Sequence, residues 1–334
     1  MIVLSFIIPY YNAERTVIDT LDSIYNAGID SDCFEVILID DCSDFPVQNL
    51  LRNRQLNYPN LRVIRHSINK KQGGARNTGI RAAQGDYIAF VDADDLISKS
   101  FGEIIPYLLE KVADIIACRY YKQDQKRIQR EVGHRVITNN EATIVSGKDY
   151  CESFVDVATS LIAPCYIYSR PYLMSRYSPF QERVFMEDAD WVADHLFHAR
   201  RVLILNSCIY TYLYNATSTV HSYTYLHAAS WVKTGVRKLQ LSRSIRGDST
   251  VFSDTMEKDG KYNIEGVFSR LYKTNNYSLF FSLIREDLQF LRELNWSKTT
   301  SFFINHPRLC ALFLSLCGPF LKTAKGIVRK VFYN

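Results

Sequence analysis

Two acidic runs in the sequence directly follow apolar segments that are typical of buried β-strands. The run FEVILIDDCSD contains Asp40 and Asp41, and the run GDYIAFVDADD ends in Asp92, Asp94 and Asp95. Ligands of open parallel sheets bind at the carboxyl ends of the strands, so these carboxylates are candidate ligand-binding groups. Clustered carboxylates repel one another unless a cation joins them, and a divalent metal completed by substrate phosphates is a common solution. The pattern therefore predicts a divalent metal beside a phosphate-bearing substrate.

The two acidic runs differ in how strongly they indicate a ligand. A pair such as Asp40 and Asp41 is also typical of a tight turn or a helix cap, which needs no ligand. The three carboxylates within residues 92–95 would destabilise the fold by mutual repulsion if nothing bound them. The second run is therefore the stronger candidate for a metal site.

A glycine-rich segment, NKKQGGARNTGIRAAQG, lies between these two runs. Gly73 and Gly74 allow close approach of the backbone at the start of a helix, and Arg76 can pair with a phosphate in a forked geometry. The alternative is an ordinary glycine turn with a surface arginine. By itself the segment indicates phosphate binding only weakly.

A third acidic cluster lies about a hundred residues further on, in VFMEDADWVADHLF. Glu187 and Asp188 stand at the start of a predicted helix, whose dipole favours the ionised form and keeps a carboxylate available as a base. Acidic residues are also common in the first turn of any helix. A purely structural role stays open for this pair.

Strands that alternate with helices must position these clusters. Short β-branched runs alternate with helical patterns through the first 118 residues, which is typical of a parallel sheet covered by helices. The first helix is predicted to be capped by Asn12 and ended by Gly28. The predicted strands span residues 3–8, 35–39, 62–65, 87–91 and 114–118, and the further crossover segments span residues 46–56, 74–83 and 99–111.

The rest of the chain is less regular. Residues 122–148 are polar and without a clear period, which favours a loop or hairpin on the surface. A helix is predicted over residues 187–197 and a strand over residues 202–213, and the pattern is helical after residue 224.

Taken together, the motifs resemble the family 2 glycosyltransferases, which have the nucleotide-sugar-binding GT-A fold. The matching pieces occur in the family's order: SFIIPYYNAE, VILIDDCSD, ARNTGIRAAQGDYIAFVDADD and MEDADW. The resemblance covers residues 5–197 and implies an α/β fold, with a Rossmann-like, mostly parallel sheet flanked by helices and a helical C-terminal extension. The expected domains are a catalytic domain over residues 1–222, with a nucleotide-sugar half at 1–118 and an acceptor half at 119–222, and a helical region over residues 223–334.

The resemblance implies a nucleotide pocket. The family's aspartate after the second strand reads the nucleotide base, so Asp40 or Asp41 is expected to contact uracil or its counterpart. Pro9, Tyr11 and Glu14 are expected to line the same pocket.

The resemblance also implies roles for the other acidic clusters. The family's D-x-D motif falls on Asp92, Ala93 and Asp94, which would hold the ribose and a Mn²⁺ or Mg²⁺ that bridges the diphosphate. The family's E-D pair falls on Glu187 and Asp188, with Asp188 as the expected general base.

The expected reaction is a single inverting displacement. Asp188 would take the proton from an acceptor hydroxyl as that oxygen attacks the anomeric carbon of a UDP-linked sugar, a hexose or an N-acetylhexosamine. The metal and Arg76 would stabilise the departing nucleoside diphosphate. The acceptor is expected to be a glycan or a lipid-linked molecule, as in bacterial surface-polysaccharide synthesis.

The chain departs from the family pattern at two places. The family often has a glycine where this chain has Lys71, which changes the loop shape or adds a charge that faces the phosphates. Near Tyr166 many relatives have a lysine, whereas this chain reads PCYIYSR, which bears on the choice of acceptor. Neither departure alters the acidic clusters.

Two other functions are possible for such a sequence. A nucleotidyltransferase that makes sugar nucleotides should have a glycine-rich basic loop after the first strand, where this chain has PYYNAERT. A non-catalytic sugar-binding module could use some of the 22 Tyr and 19 Phe as stacking platforms, but it has no need for three acidic clusters.

The net charge of +5 is concentrated near the C-terminus. No Asp or Glu occurs from Leu294 to Asn334, and the 34 basic residues outside the tail nearly balance the 35 acidic residues. The basic residues of the tail, 298–334, are Lys298, Arg308, Lys322, Lys325, Arg329 and Lys330. This distribution argues against a general nucleic-acid surface. The tail mixes these cations with apolar residues, so it is expected either to lie on an anionic membrane or to pack on the catalytic domain.

Cysteine usage and hydropathy predict the compartment. The eight cysteines form no C-x-x-C pair and no zinc-binding spacing, so they are predicted to be buried thiols in a reducing compartment. The apolar N-terminus is predicted to be a first strand rather than a signal peptide, and no apolar stretch is long enough for a membrane span. A cytoplasmic location is expected, including the inner face of the cell membrane.

Overall fold

The structure is a computed structural model that describes residues 1–52, 54, 57–126, 128–137, 142–215, 224–274 and 276–323. The chain divides into two compact units. The first comprises Met1–Arg183 and Glu187–Asn215, and the second comprises Val184–Met186 and the described part of Ala216–Asn334. The predicted domain boundary between residues 222 and 223 lies outside the described residues.

Within the described residues, ten strands form one sheet in the first unit. They are β1 (Leu4–Tyr10), β2 (Phe34–Asp40), β3 (Leu61–Arg65), β4 (Tyr87–Phe90), β5 (Leu96–Ile97), β6 (Ile115–Gln123), β7 (Gln129–Val132), β8 (Thr143–Val145), β9 (Tyr166–Ser169) and β10 (Val202–Tyr212). The order is β3-β2-β1-β4-β9-β6-β10-β5, with β7 paired to β6 and β8 paired to β10. The predicted strands in the first 118 residues are confirmed as β1, β2, β3, β4 and β6, and the predicted strand at 202–213 is confirmed as β10.

The strand pairing is mixed rather than mostly parallel. β1 pairs in parallel with β2 and β4, and β2 pairs in parallel with β3. β9 then runs antiparallel between β4 and β6. β7 follows β6 after a short connection, which permits only antiparallel pairing. The expected parallel sheet therefore holds for β1 to β4 and for the β6–β10 pair, and needs correction elsewhere.

The central strands form because their sequences are apolar on both faces. Every residue of β1 and β2 is buried, as is every residue of β4. Strands covered on both sides read as continuous apolar runs rather than alternating ones. Apart from Ser5 and Glu35, which hydrogen-bond to each other near the start of β1 and β2, the polar side chains come at or after the carboxyl ends of these strands.

Thirteen helices are described. They are α1 (Val17–Tyr25), α2 (Val47–Leu51), α3 (Lys71–Ala82), α4 (Ile105–Leu109), α5 (Gly147–Ser153), α6 (Arg170–Ser175), α7 (Asp188–His198), α8 (Tyr225–Ile245), α9 (Thr250–Arg270), α10 (Tyr277–Leu283), α11 (Arg285–Leu291), α12 (Lys298–Asn305) and α13 (Pro307–Thr323). The predicted crossover helices are confirmed as α1 to α4, and the predicted helix at 187–197 is confirmed as α7.

The start of α1 differs from the prediction. Its N-cap is Thr16, whose side chain makes no capping hydrogen bond. Asn12 lies further upstream with a φ of 49°, and its amide donates to Asp44 Oδ2 at 2.9 Å. The predicted Asn12 cap is therefore wrong, because a turn intervenes between the strand and the helix. Gly28 does follow the helix, in the left-handed conformation with a φ of 74°.

The polar segment at residues 122–148 contains a hairpin in its described part. β7 pairs antiparallel with β6, and β8 pairs antiparallel with β10. The predicted hairpin is confirmed there, while residues 127 and 138–141 lie outside the described part of the chain.

The described second unit is helical, as predicted for the chain after residue 224. Its core contains Ala228, Val232, Ile264, Phe268 and Phe280. α8 and α9 approach closely: a Cβ on Gly235 would lie 3.0 Å from the Gly260 carbonyl oxygen, so glycine is needed at the crossing.

The basic tail is described only in part. α12 and α13 account for residues 298–323, and residues 324–334 lie outside the described chain. Among the helices that are described, none combines the length and the apolar character needed to span a bilayer.

The cysteines whose side chains are described are all free thiols. Cys118, Cys151, Cys165, Cys208 and Cys310 are buried, as predicted. Cys33 and Cys42 are partly exposed, so the prediction of burial is wrong for these two.

Candidate active site

The predicted nucleotide and metal residues gather at one edge of the sheet. Because β1, β2 and β4 are parallel neighbours, their carboxyl ends meet at this edge. Asp40 is the last residue of β2, and Asp92 follows the end of β4 by two residues. The structure therefore brings the first two acidic runs to the same side of the sheet.

Asp40 is fully buried and already neutralised by the protein. Its Oδ1 accepts from the Ser43 N–H at 2.9 Å, and its Oδ2 accepts from the Val47 N–H at 3.1 Å at the start of α2. Arg65 forms an ion pair with Oδ2. These contacts hold the loop after β2 in place, which is the turn-and-cap role that the sequence left open.

Asp41 is also buried, but its partners are different. Its Oδ1 lies 2.7 Å from His66 Nδ1, and both oxygens accept from the Lys70 N–H at 2.9 and 3.1 Å. His66 Nε2 lies 2.9 Å from the Thr78 hydroxyl. The sequence reasoning missed His66, because nothing in the local pattern links a histidine after β3 to an aspartate after β2.

Asp95 has a structural role in the D-A-D-D run. It is buried, the Tyr210 hydroxyl donates to its Oδ2, and the Leu213 N–H donates to its Oδ1 at 2.8 Å. Burial raises the pKa of Asp95 well above its usual range, and the neighbouring charges of Asp92 and Asp94 add to the rise. Asp95 thus ties this run to β10.

The backbone of the D-A-D-D run is held from α1. The Thr16 hydroxyl donates to the Ala93 carbonyl at 2.8 Å, and the Thr20 hydroxyl donates to the Asp95 carbonyl at 2.8 Å. Ala93 itself is buried. The first helix therefore fixes the turn that presents Asp92 and Asp94.

Asp92 and Asp94 keep carboxylate oxygens available at the edge of the sheet. The described contacts of Asp92 involve Oδ1, which accepts from Gln72 Nε2 at 3.1 Å and from Arg76 at 2.9 Å. Those of Asp94 involve Oδ2, which accepts from Asn215 Nδ2 at 3.0 Å. Burial raises the pKa of Asp94, and the charge of Asp92 adds to the rise.

These two carboxylates fit a divalent cation that is completed by substrate. The described residues contain no group of three His, Cys, Asp or Glu side chains that could hold a metal. Mg²⁺ and Mn²⁺ prefer oxygen ligands and are commonly held by one or two carboxylates with substrate phosphates. Asp92 and Asp94 are therefore the residues that would hold the ion, and each keeps one oxygen outside its described hydrogen bonds.

The third acidic cluster stands at the start of α7. Glu187 is the N-cap residue and is buried, with Oε1 2.7 Å from Arg76. Burial raises the pKa of Glu187 to about 8, against the opposing charge of Arg76. Asp188 is partly exposed, and its Oδ2 accepts from the Ala163 N–H at 3.4 Å. Burial likewise raises the pKa of Asp188, with Arg76 opposing the rise.

Arg76 joins the second and third acidic clusters. One guanidinium nitrogen lies 2.9 Å from Asp92 Oδ1 and the other lies 2.7 Å from Glu187 Oε1, and the side chain is 2% exposed. Burial alone would lower the pKa of Arg76, but the carboxylates of Asp92 and Glu187 raise it further than burial lowers it. The arginine expected to face a phosphate thus has carboxylates as its partners.

The remaining predicted residues line the edge in different ways. Pro9 is buried within β1, Glu14 is partly exposed, and Tyr11 is 49% exposed. The Lys71 ammonium lies 5.9 Å from the centre of the Tyr11 ring. A Cβ on Gly74 would lie 2.3 Å from the Lys70 Cβ, so this glycine permits close packing at the start of α3.

The fold defines a class: an α/β protein with a candidate ligand site at the carboxyl ends of its parallel strands. The profile of Glycosyl transferase family 2 matches residues 5–171, half of the chain, and the chain belongs to this family.

One relative is similar to the chain in sequence, and two solved structures are similar to it in fold. It is 30% identical over 221 residues to "Uncharacterized glycosyltransferase EpsJ" of Bacillus subtilis, which covers 64% of this chain and 62% of that protein. The chain thus spans less than two thirds of that relative.

The crystal structure of Staphylococcus aureus TarS 1–349 in complex with UDP-GlcNAc has a TM-score of 0.61 and 19% identity, covering 94% of this chain and 89% of that one. The mannosyltransferase PcManGT of Pyrobaculum calidifontis, in complex with GDP-Man and Mn²⁺, has a TM-score of 0.50 and 14% identity, covering 96% of this chain and 86% of that one. These likenesses concern the fold and confirm the expected GT-A class.

Proposed function

We propose that this chain transfers a hexosyl or N-acetylhexosaminyl group from a UDP-linked sugar to a hydroxyl of a glycan or lipid-linked acceptor, with inversion. The observation that carries the proposal is the juxtaposition of Asp92 and Glu187 on one buried arginine. Asp92, which is suited to a metal–diphosphate, thereby lies in one site with the start of α7, where Asp188 is suited to proton transfer. Membership of Glycosyl transferase family 2 supports this reading.

The nucleotide would bind at the ends of β1 and β2. The carboxylates of Asp40 and Asp41 both accept backbone N–H groups, but Asp40 is also paired with the guanidinium of Arg65, so we assign the contact with the base to Asp41. Pro9, Tyr11 and Glu14 would line the same pocket. TarS, whose fold this chain shares, has been crystallised with UDP-GlcNAc, which supports a uridine nucleotide.

Asp92 and Asp94 would hold a Mn²⁺ or Mg²⁺. The cation would supply charge neutralisation for the diphosphate leaving group. The Mn²⁺ complex of PcManGT supports this choice of metal. The protein's own contribution is to orient each carboxylate at the edge before the donor binds, Asp92 through Arg76 and Asp94 through Asn215.

Asp188 is the proposed general base. The acceptor oxygen forms a bond to the anomeric carbon while the bond from that carbon to the diphosphate oxygen breaks, and the electron pair leaves with the nucleoside diphosphate. The hydroxyl proton passes to Asp188. The partial burial that raises the pKa of Asp188 makes its carboxylate a better proton acceptor than a solvated one.

Sugar transfer can be tested directly with purified protein and a panel of labelled UDP-sugars, with Mn²⁺ or with a chelator. We expect metal-dependent release of UDP, which increases when glycan or lipid-linked acceptors are added. A nucleotidyltransferase would instead produce pyrophosphate from a nucleoside triphosphate and a sugar phosphate. A sugar-binding module would bind glycans without consuming any nucleotide sugar.

The role of Asp188 is tested by Asp188→Asn. We expect transfer to fall by about a thousandfold or more, because no group then accepts the hydroxyl proton. UDP affinity by calorimetry should stay within about threefold of the wild-type value, because Asp188 does not bind the nucleotide. The exposed Asp19 of α1 offers a matched control, and Asp19→Asn should leave transfer unchanged. Retained transfer in Asp188→Asn would contradict the assignment.

We further propose that the C-terminal tail contacts an anionic membrane at the cytoplasmic face, where a lipid-linked acceptor would lie. Leu309, Leu312 and Phe313 are exposed along one face of α13 and lie beside Arg308, in a region without acidic residues. Replacing the three apolar residues with Ser should reduce cosedimentation with anionic vesicles and leave transfer to a water-soluble acceptor unchanged. Unchanged vesicle binding would remove the membrane proposal.

A further inference from the structure

Arg76 connects two segments that are far apart in the sequence. Asp92 lies 16 residues after it and Glu187 lies 111 residues after it. The guanidinium group is buried with the Glu187 carboxylate, while the Asp92 side chain is 20% exposed. The guanidinium lies 5.8 Å from the Phe90 ring and 5.5 Å from the Phe180 ring. The aromatic rings and the two ion pairs together restrict the orientation of this side chain.

The rest of α3 holds the same two segments. Asn77 and Phe180 exchange two hydrogen bonds of 2.9 Å, one from the Asn77 amide to the Phe180 carbonyl and one from the Phe180 N–H to the Asn77 side-chain oxygen. The Arg183 N–H donates to the Lys70 carbonyl at 2.8 Å. Gln72 donates to Asp92 Oδ1 at 3.1 Å. The helix therefore contacts both the D-x-D turn and the chain that leads to α7.

The close approach depends on the absence of a side chain at residue 73. A Cβ on Gly73 would lie 2.2 Å from the Gln181 carbonyl oxygen and 2.9 Å from the Glu187 Cγ. A glycine that merely ended a turn would not need this clearance. Gly73 thus lets α3 come near enough for Arg76 to reach Glu187.

The charge balance requires a cation at this place. Asp92, Glu187 and Asp188 all interact electrostatically with Arg76. A planar guanidinium can donate to two carboxylates in fixed directions, whereas a lysine ammonium is a single point charge. An arginine therefore fixes the directions of both carboxylates in a way that a lysine would not.

We infer that Arg76 is a positioning residue that sets the donor-binding carboxylates at a fixed distance from the general base, without itself binding the donor. This inference rests on the proposed glycosyl transfer. Arg76 acts through Asp92 on one side and through Glu187, which precedes Asp188 and begins α7, on the other. The reacting oxygen and the anomeric carbon are thereby held in line.

Arg76→Lys tests this inference, because lysine keeps the charge and loses the fork. We expect kcat to fall about a hundredfold, as for a small misplacement of reacting groups, while UDP affinity stays within about threefold of wild type. Arg81→Lys, at an exposed position of the same helix, is the matched control and should change neither quantity. A UDP affinity that falls tenfold or more with unchanged kcat would show that Arg76 binds the diphosphate and would overturn the inference, as would an unchanged kcat.

A second variant guards against a folding defect in Arg76→Lys. Glu187→Gln keeps the size of the side chain and removes its charge, so it should reproduce the fall in kcat with UDP affinity retained. The double variant should lose no more than the worse single variant, because both changes break the same link. Independent, multiplicative losses would contradict the inference. If the wild-type protein neither binds UDP nor releases it from any donor, the proposed function fails instead.

Discussion

The carboxyl ends of β2 and β4 carry similar acidic pairs, but the protein treats them differently. The carboxylate of Asp40 is neutralised by two backbone N–H groups and by Arg65. Asp92 and Asp94 lie close to each other and to Asp95, and each has only part of its carboxylate in described hydrogen bonds. An acidic cluster at a strand end therefore indicates a ligand only when the protein has not already neutralised it.

The largest effect on sugar transfer is expected for Asp94→Asn. We expect transfer to fall about a thousandfold, because the metal–diphosphate loses one of two carboxylate ligands. Thermal stability without metal should be unchanged or slightly higher, because repulsion among the three aspartates is reduced. Transfer assays and thermal melts of the same preparation measure both effects. A large loss of stability would mean that Asp94, like Asp40, is a structural residue.

Asp40→Asn should have the opposite effect to Asp94→Asn, with a loss of stability and little loss of transfer activity. We expect the free energy of unfolding to fall by about 2 kcal/mol, because one backbone N–H at the start of α2 loses its acceptor and Arg65 loses its partner. Urea denaturation measures this fall. Below the unfolding transition, the variant should keep most of its transfer activity. Loss of activity with unchanged stability would assign Asp40 to the nucleotide instead.

The smallest expected effect is that of His66→Ala. This variant tests whether Asp41, rather than Asp40, contacts the nucleotide at the end of β2. His66 holds Asp41 through one ring nitrogen and Thr78 through the other. We expect UDP affinity to fall about tenfold, because Asp41 loses its side-chain partner and keeps only the Lys70 N–H to orient it. UDP affinity should fall less in His66→Asn, because asparagine can replace one of the two hydrogen bonds. Unchanged UDP affinity in both variants would remove Asp41 from the base pocket.

Much of this molecule could be predicted from local sequence pattern. The runs that form β1, β2 and β4 are almost wholly apolar because both faces of these strands are covered. The positions of the strands and of the acidic residues at their carboxyl ends could therefore be predicted. The helix that carries Asp188 was equally visible from its apolar spacing.

Contacts between distant segments could not be read in this way. The antiparallel insertion of β9 between β4 and β6 depends on tertiary packing rather than on the residues of β9. Likewise, the sequence shows that Arg76 could bind an anion, but not that Glu187, 111 residues later, supplies one. The ion pair between Arg65 and Asp40 could not be predicted for the same reason.

The most direct test of the central claim is the gain in UDP affinity caused by Mn²⁺, measured by calorimetry for Asp40→Asn and Asp94→Asn side by side. If the end of β4 holds the metal and Asp40 supports the fold, Asp40→Asn keeps the wild-type gain and Asp94→Asn loses it. A full Mn²⁺ effect in Asp94→Asn, or its loss in a folded Asp40→Asn, would contradict the account.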